Sequence, residues 1–120
     1  MPVVLHISGF VRANKPNNAE TVLQRLSSAI GYDLSACSCE PYWKDSALFS
    51  FGGDIELDEM SFRDAYVDVP ARFSAVSGRW SMTLPRPGVD EAPSWDFEAG
   101  CHRTSISGVE SLSFSVRREP

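Results

Sequence analysis

Between Asp54 and Asp68 the chain carries Asp54, Glu56, Asp58, Glu59, Asp64 and Asp68, with Arg63 as the one basic residue among them. Carboxylates at this density can do acid/base chemistry, hold a hard cation, or attract a basic partner. Acid/base work needs one carboxyl stripped of water so that its pKa rises. Asp54, Glu56 and Asp58 alternate with Ile55 and Leu57, which places them together on the solvent side of a strand, where nothing desolvates them. A calcium loop needs oxygen donors at fixed intervals around a central glycine, and this stretch has neither. What remains is complementarity to positive charge. The candidate partner-binding residues are therefore the six carboxylates, with Tyr66 among them as an aromatic anchor.

Cys37, Cys39, Cys101 and His102 are the other residues with chemistry to offer. Structural zinc sites usually separate their cysteines by two to four residues so that both thiolates converge, and Cys37-x-Cys39 is too short for that. Both thiols fall on one face of a strand as small apolar fillers. Cys101 and His102 point to opposite faces, so neither can serve the other as nucleophile and base; only His6 could reach a thiol from elsewhere. His6 alone on a strand reads as a structural residue. The expectation is a protein with no catalytic residue, no metal and no cofactor. Tyr42-Trp43 beside Lys44, Tyr66, and Trp95 after an acidic loop are the aromatics able to anchor a protein interface, Tyr66 first.

Sixteen acidic residues against eleven basic ones give a net charge of −5 and a pI near 4.9. That balance argues against nucleic acid or an anionic membrane as partner, because both are gripped by Lys and Arg on phosphate. The N-terminus lacks a basic stretch, and His6, Ser8 and Gly9 interrupt its apolar run. It fits neither a signal peptide nor a membrane span, and with an odd count of three cysteines the expectation is a cytoplasmic chain with reduced thiols.

These side chains need elements to position them. Val3, Leu5, Ile7 and Val11 alternate with His6, Ser8 and Arg12 as a strand does. Residues 17–30 then place Val22, Leu23, Leu26, Ala29 and Ile30 on one helical face, with Asn17 and Glu20 as a capping box and Gly31 as the stop. Residues 34–43 read as a strand that Pro41 marks as an edge, and Lys44-Asp45-Ser46 as a hairpin turn. Ala47, Phe49, Phe51, Ile55 and Leu57 form the inward parity of the next strand, with a bulge or bend at Gly52-Gly53. Residues 58–76 mix a helical stripe with strand alternation, and because Pro70 breaks helices, a short helix or turn over residues 60–65 is the expectation. Three further amphipathic strands follow, around Trp80, Trp95 and Leu112, the first two joined by a polar loop over residues 85–93.

The architecture expected is α+β: one domain over residues 1–120, with a curved, mainly antiparallel sheet of about six strands and one main helix packed on it. A chain of this size with no catalytic motif, a helix after its first strand and an acidic sheet face resembles the bacterial immunity proteins that neutralise contact-dependent or polymorphic toxins. The resemblance implies a non-catalytic inhibitor of a basic toxin domain, such as a nuclease, whose phosphate-binding Lys and Arg the carboxylates would cover. The alternative is a small-molecule binding protein or enzyme with a pocket lined by Trp80, Trp95, Phe97 and Phe114. A filled core favours the first and an apolar cavity the second.

Overall fold

The computed structural model describes residues 3–57, 60–83, 94–99 and 104–118. Asp58, Glu59, Cys101, His102 and the loop over residues 85–93 lie outside them. β1 (Val3–Arg12) runs through the sheet with Val3, Leu5, Ile7 and Val11 buried. α1 (Pro16–Ile30) follows, and buries Ala19, Val22, Leu23, Leu26 and Ile30. The chain continues through β2 (Ser38–Pro41), β3 (Leu48–Glu56), α2 (Phe62–Phe73), β4 (Ser81–Thr83), β5 (Ser94–Ala99) and β6 (Val109–Arg118). The strands form one sheet of order β2-β3-β1-β6-β5-β4, antiparallel at every pairing. β1, first in sequence, is therefore an inner strand, flanked by β3 and β6.

Both helices pack on the same side of this sheet. Their buried residues join Leu5, Ile7, Phe49, Phe51, Leu112, Phe114 and Val116 in one continuous cluster. Phe73 of α2 stacks on Phe114 of β6 with ring centroids 4.0 Å apart, and Trp80 meets both rings edge-on. Burying each such side chain contributes about 1.5–3 kcal/mol before ordering costs.

Several local expectations need correcting. Among the described residues there are two helices rather than one main helix. α2 runs straight through Pro70, because Ala65, Val69 and Phe73 are fully buried at helical spacing and their burial outweighs the one backbone bond that proline forfeits. Val67, which strand alternation would have buried, is 67% exposed. Ser61 starts this helix by accepting a hydrogen bond from the Asp64 N–H. α1 begins one residue early, at Pro16. Its cap is Lys15 rather than Asn17, without a side-chain bond, and proline's fixed φ sets the first turn. Gly31 does end α1, at φ 77°, a left-handed conformation that glycine adopts without strain.

Gly52 and Gly53 make no bulge, since the β1–β3 register runs unbroken from Val4↔Glu56 to Arg12↔Leu48. Gly53 is required by close approach: a Cβ there would lie 2.9 Å from the Cys37 sulfur. The irregularity falls between β1 and β6, where Phe10 pairs with Ser111 and Val11 with Val109, leaving Glu110 as the extra residue. Arg12 holds that residue with a bidentate ion pair, Nη2 to Oε1 at 3.0 Å and Nε to Oε2 at 3.2 Å.

Candidate binding surface

Because α1 and α2 cover one side of the sheet, the other alternation of every inner strand faces outward. On β1 this gives the partly exposed His6, Ser8 and Phe10, and Val4, which is buried all the same. The register places Glu56, Asp54, Gly52 and Ser50 of β3 on one side of them, and Arg117, Ser115, Ser113 and Ser111 of β6 on the other. Ser38 and Glu40 extend the surface on β2, while Asp96 and Glu98 take the register positions on β5 opposite Ser115 and Ser113. The middle is a floor of serines and glycine. Exposed Asp54, Glu56 and Glu40 stand on its β3–β2 side.

Asp54 does not stand alone, because its Oδ1 lies 2.5 Å from Nδ1 of His6, in a hydrogen bond between two solvent-exposed side chains. An Asp–His pair among serines is the beginning of a hydrolytic triad, but catalysis needs the imidazole to contact a nucleophile. Among the described residues no serine hydroxyl bonds His6. Ser115, opposite it on β6, is only 2% exposed, and its hydroxyl finds no hydrogen-bond partner among the described residues. A buried hydroxyl without a partner keeps its desolvation penalty. Ser115→Ala is accordingly expected to leave stability unchanged or raise it by up to about 1 kcal/mol in urea unfolding. A clear loss would mean that the hydroxyl holds a bond in solution.

The remaining predicted site residues are elsewhere. Asp64, Tyr66 and Asp68 lie on α2, in the layer on the opposite side of the sheet from Asp54 and Glu56. Asp64 is exposed in the first turn of α2, where a negative charge favours the helix. Tyr66 is half-buried. Asp68 accepts from Arg72 Nε at 2.8 Å and from the Tyr32 hydroxyl at 3.3 Å. The Arg72 guanidinium also lies over the Tyr32 ring and reaches the Ile30 carbonyl. Burial, foremost, pushes the Tyr32 hydroxyl's pKa up. Asp68 thus belongs to a cluster that ties α2 to the end of α1, and the run of carboxylates divides between two surfaces.

Among the described residues the most exposed large apolar side chain is Trp43, at 84%, rather than Tyr66. It follows Pro41, where β2 ends, and sits in the turn into β3. Its ring stands edge-on to Tyr42, Tyr42 packs on Phe10 of the open face, and the Lys44 ammonium lies 4.9 Å from the indole. The sequence signal was an aromatic pair directly before a polar turn.

Cys37 and Cys39 carry free thiols on the helix side of β2. Burial pushes the Cys37 thiol's pKa up, with Asp33 and Asp54 adding to it; burial, then Glu20, does the same at Cys39. Both are poor nucleophiles at neutral pH. No group of three or more His, Cys, Asp or Glu among the described residues is placed to hold a metal ion, and no described helix is long and apolar enough to cross a membrane. No family model, curated protein or solved structure matches the chain.

Proposed function

We propose that this protein is a non-catalytic binding protein that engages a basic protein partner through the open face of its sheet, in the manner of the immunity proteins it resembles. The observation that carries this reading is the sheet face opposite the helices: exposed Asp54, Glu56 and Glu40 on its β3–β2 side and the Phe10–Tyr42–Trp43 cluster at one end. Carboxylates on such a rim steer a cationic partner, and a projecting indole is the kind of side chain that holds it. The packing of Phe73, Trp80 and Phe114 supports the interaction reading over the ligand-pocket alternative, because these rings fill the space beneath α2.

The test begins with the partner that co-purifies from the source cell. Asp54→Lys with Glu56→Lys is expected to slow association about tenfold at low salt and to flatten its salt dependence, since exposed charges act over a Debye length of about 8–10 Å. Asp64→Lys, on the other layer, should change neither. Trp43→Ala should speed dissociation instead. Unchanged association and salt dependence in the double variant would make the open face merely a solvated surface.

A further inference from the structure

β2 is an edge strand, with β3 on one side and no strand on the other. Its hydrogen-bonding phase follows from one contact: the Tyr42 N–H donates to the Leu48 carbonyl at 2.9 Å, so Tyr42 and Leu48 form a hydrogen-bonded pair of the antiparallel ladder. The phase alternates along the strand. Glu40 therefore directs its backbone groups to Ser50, and Cys39 directs both its N–H and its C=O away from the sheet.

Beside that free edge runs a groove of about 530 Å³ between β2 and α1. Leu23, Leu34, Cys37 and Cys39 form its apolar part, and Gln24, three serines and the carboxylates of Glu20 and Asp33 form the rest, with no basic residue. A strand edge facing a helix across a groove with apolar and acidic lining residues is a geometry in which extended peptides are captured by strand addition.

We infer that the edge of β2 and its groove against α1 form a docking site for an extended, basic segment of a partner protein, which adds as a further strand by pairing with Cys39. The residue opposite Cys39 shares its side-chain face, so an apolar side chain there enters the groove while lysines or arginines two positions to either side, on that same face, meet Glu20 and Asp33. Pro41 has no N–H to offer, and the Cys37 N–H already donates to the Leu34 carbonyl at 3.0 Å, which confines the pairing to Cys39. The site is distinct from the open face and holds whether or not that face binds a partner.

The probe is an acetylated, amidated pentapeptide Lys-Thr-Val-Thr-Lys, whose valine and lysines share one face, titrated into the isotope-labelled protein and read by nuclear magnetic resonance. Binding should shift Leu23, Leu34 and Cys39 and slow hydrogen exchange at the Cys39 amide about tenfold. The same peptide N-methylated at its valine, which cannot pair with Cys39, should not bind, nor should the peptide with glutamate in place of both lysines. Glu20→Lys with Asp33→Lys, both at exposed positions, should weaken binding about tenfold with the spectrum otherwise intact. Equal binding of the N-methylated peptide, an unprotected Cys39 amide, or shifts confined to His6, Ser8 and Ser113 would overturn the proposal. The last pattern would leave the open-face reading standing, so the two fail separately.

Discussion

Phe73→Ala is expected to lower the free energy of unfolding by about 3–5 kcal/mol, the range for removing a fully buried aromatic ring. Phe73 is 0% exposed, and it is the ring through which α2 meets the sheet: stacked at 17° on Phe114 and edge-on to Trp80 at 5.9 Å. The loss combines transfer of the ring to water with the contacts that Phe114 and Trp80 no longer make, because neither helix nor sheet can close the gap without moving the other. A domain of this size loses roughly 4 °C in Tm per kcal/mol, so thermal unfolding should shift down on the order of 15 °C. Phe73→Leu should cost less than half as much, since it keeps most of the apolar volume. A drop below about 1 kcal/mol for the alanine variant would mean that α2 is not docked on β6 as described.

That same helix shows where sequence reasoning stopped. α1 and β3 were legible because single-residue patterns agreed with the period of the element: Val22, Leu23, Leu26 and Ile30 recur at helical spacing, and Phe49, Phe51 and Leu57 at strand spacing, and all are buried. α2 presented two patterns at once. Proline's local penalty argued for a stop at Pro70, while the burial of Val69 and Phe73 argued for continuation. Local penalty and tertiary burial can be compared only when the surface that Phe73 meets is known, and Phe114 lies 41 residues further along the chain. The capping box failed for a similar reason, because Pro16 at the first helical position places the cap at Lys15 instead of Asn17.

The candidate site was half legible. Strand alternation correctly put Asp54 and Glu56 on the outward parity of β3. It could not show that α2, carrying Asp64 and Asp68, folds back over the other side of the sheet, so that residues close in sequence serve different surfaces. Nor could it show that His6, 48 residues before Asp54, pairs with it across β1 and β3. Exposure was harder still to read. Trp43 and Trp80 are both adjacent to strand ends, yet one projects into water and the other donates its indole N–H to the Ser77 carbonyl at 2.7 Å while packing on Phe73.

Gly9→Val is expected to be at least as damaging as loss of the Phe73 ring, and by the opposite mechanism. Gly9 lies in the inner strand β1 on the parity of the buried Leu5 and Ile7, one residue before the β6 bulge. A Cβ built there would come within 2.3 Å of the Ser111 carbonyl oxygen and 3.2 Å of the Leu112 Cα, both backbone atoms of β6, and 3.0 Å from the Phe51 ring. A side chain can rotate away from a new methyl group, but a paired strand cannot, so relief requires opening the β1–β6 ladder beside the bulge that Arg12 and Glu110 secure. Overpacking usually costs about 1–3 kcal/mol where neighbours can shift, and here the neighbours are backbone, so about 3 kcal/mol or more is expected. Against a total stability of roughly 5–15 kcal/mol, that loss should appear as a large fall in the urea midpoint or as failure to accumulate folded protein. Gly9→Ala separates the causes, since its single methyl group meets the same carbonyl oxygen and should reproduce most of the loss. Near-wild-type stability in the alanine variant would show that β1 and β6 do not approach at Gly9 as closely as described.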